Sequence, residues 1–394
     1  MKKLAIVGNG TAAITAVREL GRMDATIAMD VFSDEPYSYY PRPRIIDFLA
    51  GDVSIQDLIQ YSPEWYEQYN AHLHLEEPVK QLDVDSMSLK TTAKRYHGYD
   101  RILVAVGSHP WIPPIHGADK KNVHTLRTLR DAATIRKGIE TTNRQIIIGG
   151  GILGIEIAAA LEKYGGNTLT ISHIDTLLPK QLDSAASSVL LKRLNQLGLN
   201  ILMNFECKRV LGDKEVEALE STTGDRVEGD MVIIATGVRP NIALAKTAGL
   251  GCNRGIVVDA HMQTSEKGCF AAGDCTEWQG VSWGIIPVAL DTGKVAARNM
   301  VDLGGTHYNG TTPRNTLKVA GIDLTSIGEF NPVSPKFESV VQVDEKEGTY
   351  FKAVLKDHTV VGGIALGNRK VALKLQRLVS TGKRVERPFS DIFE

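Results

Sequence analysis

The chain has 394 residues, 43% of them hydrophobic and 23% charged, with a formal net charge of -1. That length exceeds the size at which a single hydrophobic core keeps growing, so two or three domains are expected. A near-neutral balance gives no ground for a nucleic-acid partner, and four cysteines in so long a chain (Cys207, Cys252, Cys269, Cys275) make no disulfide framework, the pattern of a reducing, cytoplasmic compartment.

Met1-Lys2-Lys3 and the apolar run behind it resemble a secretory signal, but Gly8, Asn9 and Gly10 interrupt the run and no small-residue cleavage site follows. The run Lys3 to Val7 instead reads as a strand. It is followed by the loop Gly8-Asn9-Gly10-Thr11-Ala12-Ala13 and an apolar helix from Thr11 to Leu20. Glycine lets the backbone approach a pyrophosphate, which then sits on the helix N-terminus. A second strand, Ile27 to Phe32, leads to Asp34-Glu35, whose carboxylate oxygens can accept both ribose hydroxyls of an adenosine. The stretch from Arg101 reads as a further strand ending in Ala105-Val106-Gly107-Ser108-His109-Pro110, and a proline-rich link from Pro110 to Pro114 follows.

The pattern then repeats. Arg144 to Ile148 is a strand, Gly149-Gly150-Gly151-Ile152-Leu153-Gly154 a second phosphate loop, and Leu153 to Tyr164 its helix. The apolar stretch Ile146 to Leu161 is short for a membrane span and carries Glu156, so a buried strand and helix account for it. After the next strand, Thr168 to Ser172, no carboxylate stands at the ribose position. Ser172 and His173 are there, with Lys180 further on, a set that favours a 2′-phosphate and hence NADPH; Asp175 is close enough to serve an NADH ribose instead. The remainder holds Ala235-Thr236-Gly237, Phe270-Ala271-Ala272-Gly273-Asp274, β-type runs at Thr316 to Ile322 and Phe351 to Leu355, and a helix from Asn368 to Val379 closed by Thr381-Gly382.

These dispersed motifs make the chain resemble, almost end to end, the glutathione-reductase-like flavoproteins. The expected fold is α/β: two Rossmann-like dinucleotide-binding domains, for FAD (1–113 and 242–306) and NAD(P) (114–241), plus a small α+β C-terminal domain (307–394). The resemblance implies that Ala105 and Gly107 form the first A-T-G-like turn, and Gly237 part of the second. It implies that Asp274 bonds the flavin's ribityl chain near the pyrophosphate. It also implies that the segment from Gly284 through Pro287 opens a helix aimed at the flavin pyrimidine ring.

Within that superfamily an absence discriminates. Disulfide reductases carry an early C-x4-C pair and thioredoxin reductases a later C-x-x-C, but no cysteine here precedes Cys207. Cys269 and Cys275 flank the Phe270–Asp274 motif and read as small buried hydrophobes. Tyr39-Tyr40-Pro41-Arg42-Pro43-Arg44, Asp47-Phe48-Leu49-Ala50-Gly51 and Leu317-Lys318-Val319-Ala320-Gly321-Ile322-Asp323 look like NADH:rubredoxin reductases and the flavin domain of assimilatory nitrite reductases. This resemblance implies that Arg42 contacts the FAD pyrophosphate and that electrons pass from NADH or NADPH through FAD to a small carrier, rubredoxin or a ferredoxin. Where oxygenase-type reductases have a lysine beside the flavin N5, this chain has Asp47. Glu156, Arg44 and Asp47 are therefore the residues expected to set the electrostatics of hydride transfer. Residues 351–394 hold nine Lys or Arg against four Asp or Glu, and Lys370, Lys374 and Arg377 share one helix face on which an acidic carrier could dock. An NAD(P)H oxidase, a ferredoxin reductase and a flavin-bearing redox sensor are the competing functions.

Overall fold

The computed structural model describes residues 2–394 apart from 166, 173 and 313, and the backbone alone of 167 and 314–319. The chain divides into two compact units: Met1–Phe48, Val53–Pro110 and Val238–Thr311 form the first, Leu49–Asp52, Trp111–Gly237 and Thr312–Glu394 the second.

The first unit is built on a parallel sheet in the order Cys269–Ala271, Arg101–Val104, Lys3–Val7, Ala28–Phe32, Ala71–His74. Leu4, Ala5, Ile6 and Val7 are all buried, as expected of a central strand covered on both faces, which cannot alternate polar and apolar residues. The chain leaves Lys3–Val7 to opposite sides for its two neighbours, so the crevice beyond its carboxyl end is a topological switch point, and Gly8 stands there. The helices Thr11–Met23 and Ile286–Val301 cross closely. A Cβ at Gly293 would stand 2.5 Å from the Ala12 carbonyl oxygen, so only glycine permits that approach. His74, on the edge strand, is structural: its ring lies 2.8 Å from Asp30 and 3.5 Å from Glu77 and stacks on Phe32.

The second unit repeats the plan with a parallel sheet ordered Asn200–Leu202, Asn167–Ile171, Arg144–Ile148, Met231–Ile234, Val123–Thr125. The helix Ile152–Glu162 follows its central strand. The same unit contains an antiparallel sheet ordered Arg314–Val319, Ile322–Gly328, Thr359–Leu366, Thr349–Lys356, Glu338–Asp344. The helix Arg369–Thr381 covers it, burying Val371, Ala372 and Leu375 against Phe351, Ala353 and Leu355. The Asn368 side chain caps this helix by accepting from the Lys370 and Val371 N–H groups, and Gly382 ends it at φ +59°. The fold is thus α/β with two Rossmann-like sheets and a small α+β region, as the motif order predicts. Among the described residues, no helix is long and apolar enough to cross a membrane.

Candidate functional site

The two glycine loops are built alike, atom for atom in places. Gly8 N–H donates to the Phe32 carbonyl at 2.8 Å and Gly149 N–H to that of Ile171 at 2.9 Å. The Ala105 N–H donates to Val7 and the Ala235 N–H to Ile148, each at 2.8 Å. Gly8 (φ +114°) and Gly149 (φ +137°) both lie in backbone conformations that L side chains rarely adopt. A Cβ on either would overlap a carbonyl, standing 2.7 Å from the Ala105 carbon and 2.8 Å from the Ala235 carbon. Each A-x-G turn is therefore the wall against which the first glycine of its loop packs. At Gly154 a Cβ would overlap the Gly149 carbonyl oxygen, which gives the third glycine its role in seating the helix.

Gly10 and Gly151 differ from these. Each is the N-cap of its helix, neither helix has a side-chain cap or an acidic residue in its first turn, and a Cβ at either would meet nothing within 4 Å. The first-turn residues that follow, Thr11, Ala12 and Ala13 in one helix and Ile152 and Leu153 in the other, carry N–H groups that the helix itself cannot pair. An open backbone cradle at a helix N-terminus suits a pyrophosphate. The donor sets of both loops thus fit a dinucleotide.

Around the first loop the side chains form a charged frame. Arg42 pairs with Glu35, Tyr40 donates to the other Glu35 oxygen, and Arg42 also bonds the Tyr40 hydroxyl, with its guanidinium 4.8 Å from the ring centroid. Burial works against the Arg42 cation, but Glu35, with help from Tyr40 and Asp34, outweighs it and holds the guanidinium above its ordinary pKa. Glu35 keeps lone pairs for a ribose, because each carboxylate oxygen can accept twice. Asp274, in the short turn Gly273–Cys275, accepts from the Ser108 hydroxyl at 2.9 Å, and the Gly273 N–H donates to Thr292 at 3.0 Å. Gly107 takes φ +67° and its carbonyl accepts from the Asn241 N–H at 2.9 Å. Pro287 lies in the first turn of the uncapped helix Ile286–Val301. Arg44 meets Asp47 at 3.3 Å, both side chains being nearly half exposed, and bonds the Asp57 carbonyl at 3.1 Å. Asp47 thus has a cation of its own.

In the second loop, Glu156 is half-buried on the helix Ile152–Glu162. Thr236, beside Gly237 (φ +112°), donates to the Trp111 carbonyl at 2.6 Å. Strand register aligns the two βαβ units: Val7 pairs with Phe32, and Ile148 with Ile171. Ser172 then matches Ser33, and Ile174 matches Glu35. Ser172 is 2% exposed, lying against Gly150, where a Cβ would come within 2.9 Å of it. Lys180 and Asp175 are exposed, and His173 lies outside the described residues. On the helix Arg369–Thr381, Lys370, Leu373, Lys374 and Arg377 are all exposed, and Lys374 donates to the Asp391 carbonyl at 2.7 Å. Ile174 and Tyr66 belong to no motif of the sequence; counting from paired strand ends finds the first, and no local signal marks the second. Among the described residues, no group of three or more His, Cys, Asp or Glu could hold a metal ion.

Residues 2–293 match the family described as pyridine nucleotide-disulphide oxidoreductase, and residues 313–383 the rubredoxin NAD+ reductase C-terminal domain. The chain is 33% identical over 383 residues to a nitrite reductase [NAD(P)H] of Bacillus subtilis (strain 168), covering 96% of this chain and 47% of that protein. It is 28% identical over 382 residues to the NADH-rubredoxin oxidoreductase of Clostridium acetobutylicum, covering 97% and 95%. The crystal structure of the NADH:rubredoxin oxidoreductase of that organism superposes with a TM-score of 0.81 at 26% identity, over 98% of this chain and 97% of that one. The chain spans about half the length of the nitrite reductases and of the assimilatory nitrate reductase electron transfer subunit that it matches.

Proposed function

The chain belongs to the pyridine nucleotide-disulphide oxidoreductase family, and on that premise we propose that it is an FAD-dependent NAD(P)H oxidoreductase that delivers electrons to a small iron-sulfur carrier, rubredoxin being the first choice. The observation that carries this reading is the state of the cysteines. All four are free, burial pushes the thiols of Cys207 and Cys269 up to about 11 and that of Cys275 to about 12, and it raises that of Cys252 as well, so each holds its proton and none is a relay nucleophile at neutral pH. Electrons must then leave without a thiol intermediate. The match of residues 313–383 to a rubredoxin reductase domain supports the carrier.

Gly8, Gly10, Thr11, Ala12 and Ala13 would hold the FAD pyrophosphate, Glu35 the adenosine ribose, Arg42 the phosphate charge and Asp274 the ribityl chain. Gly149, Gly151, Ile152, Leu153, Gly154 and Gly237 would hold the nicotinamide nucleotide. When bound, FAD supplies the conversion of a two-electron hydride into single electrons. The chain's contribution is orientation and charge: Arg44 neutralises Asp47, and Glu156 is assigned to the nicotinamide side.

Anaerobic titration of the visible spectrum with NADPH, then NADH, then oxidised rubredoxin tests the assignment. Stoichiometric bleaching and fast recovery on adding rubredoxin are expected. Bleaching that rubredoxin leaves unreversed would move the assignment to an oxidase or sensor. If Lys370, Lys374 and Arg377 dock the carrier, recovery slows steeply with salt and with Lys374→Glu, whereas a flat salt response removes that face from docking.

Ile174 supports use of NADPH, because no carboxylate stands at the position matching Glu35. Ile174→Glu is expected to raise the KM for NADPH at least about tenfold, through repulsion of the 2′-phosphate, and to leave NADH favoured. Initial rates with each nucleotide decide it; an unchanged KM for NADPH would place the ribose elsewhere.

A further inference from the structure

Tyr66 is fully buried, in the short helix Pro63–Glu67, and its hydroxyl is used twice. It donates to the Asn9 side-chain oxygen at 2.8 Å and accepts from the Tyr39 backbone N–H at 3.1 Å. Burial pushes this phenol up to about 12, so it keeps its proton and remains a donor. The proton fixes the arrangement: with the N–H of Tyr39 on its lone pair, the hydroxyl must give its hydrogen to Asn9, which in turn must present oxygen.

Both partners carry flavin-site residues. Asn9 lies between Gly8 and Gly10, at the position matched in the second loop by Gly150. There the backbone is walled directly by Ser172 and Leu177, which a Cβ would meet at 2.9 and 3.0 Å. Tyr39 lies three residues before Arg42; its hydroxyl is 3.3 Å from that of Thr11, its carbonyl accepts from the Gln60 N–H at 2.9 Å, and its ring stacks on Tyr61, which stacks on Trp65. The aromatic stack holds the Tyr39–Arg42 segment, and one hydroxyl ties that segment to the phosphate loop.

The geometry points to Tyr66 as a positioning residue for FAD, holding the first phosphate loop through Asn9 in register with the segment that presents Arg42. The inference rests on the assignment of FAD to the first loop. Without the hydroxyl, two polar groups that meet only across it are left unpaired, and loop and segment are free to shift separately.

The test is titration of the apoprotein with FAD, followed by flavin fluorescence, for wild type, Tyr66→Phe, Asn9→Ala and the double variant. About tenfold weaker binding is expected for each single variant, with the double variant no weaker than either, because both remove the same link. At saturating FAD the Tyr66→Phe visible spectrum should match wild type, since the lost contact lies at the phosphate end. Wild-type affinity in Tyr66→Phe, or effects that multiply in the double variant, would overturn the role. Should Tyr66→Phe fail to fold, Asn9→Ala decides alone, and unchanged affinity there overturns it. A wild-type apoprotein that binds no FAD would refute the site assignment itself, a separate outcome.

Discussion

Gly8→Ala and Gly149→Ala are expected to separate the two halves of the proposed reaction. The first should purify without yellow flavin; the second should keep its flavin but resist bleaching by NADPH or NADH. Both glycines have positive φ, and in both the added methyl is driven into the carbonyl of the neighbouring turn, at Ala105 or Ala235. Backbone strain of about 1–3 kcal/mol comes first, and displacement of the loop from its wall adds to it, so a loss of at least about a hundredfold in nucleotide affinity is expected. Gly10→Ala supplies the contrast. Its backbone is extended and its Cβ would meet nothing within 4 Å, so the apoprotein should fold like wild type and yet bind FAD weakly, the methyl occupying the cradle. Flavin content, circular dichroism and anaerobic absorbance read all three. A Gly8→Ala protein as yellow as wild type, or a Gly149→Ala protein bleached at the wild-type rate, would remove that loop from nucleotide binding.

Much of this frame is legible in the sequence because its causes are local. The apolar run Lys3–Val7, the glycine spacing and the helix that begins at Thr11 lie within twenty residues of one another, and each element is dictated by neighbours along the chain. The carboxylate frame is legible through Asp34-Glu35 and Arg42, seven residues beyond Glu35. What is not legible depends on register or on distance. Ser172 and His173 follow the second unit's second strand as Asp34 follows the first, but it takes the pairing of Ile148 with Ile171 to show that Ile174 is the counterpart of Glu35. Tyr66 reaches Asn9 across 57 residues, and nothing in Pro63–Glu67 distinguishes it from an ordinary core tyrosine. The A-x-G turns fall between these cases: their resemblance to family motifs finds them, and only the folded chain explains that their carbonyls are walls for Gly8 and Gly149.

Lys352→Met is expected to be strongly destabilising. Asp183 caps the helix Ser184–Gln196 by accepting from the Ala186 N–H at 3.0 Å, and its other oxygen accepts from Lys352 and from the Tyr350 hydroxyl, each at 2.8 Å. Lys352 and Asp183 expose only 10% and 13% of their side chains, so removing one partner strands a buried charge, at a cost of about 3 kcal/mol. At the far end of the helix, Arg193 donates to the Gly348 carbonyl at 3.2 Å, so the antiparallel sheet is fastened to the nucleotide-binding sheet through both ends of one helix. For a unit of this size the loss corresponds to a fall in Tm of roughly 6–12 °C. The conservative Lys352→Arg should recover part of it. Burial alone would raise the Asp183 pKa, but the bonds from Lys352, Ala186 and Tyr350 outweigh burial and hold the carboxyl below the usual carboxylate range. A lowered folded-state pKa contributes stability above the unfolded value and loses it as pH falls through the folded one. Wild type should therefore lose this contribution only in strong acid, and Asp183→Asn should flatten the acid limb of the Tm profile while lowering its neutral plateau. Parallel wild-type and Asp183→Asn profiles would show that the Asp183 carboxyl is not held low in the folded state, and a Lys352→Met protein melting within 2 °C of wild type would show that no buried charge is stranded.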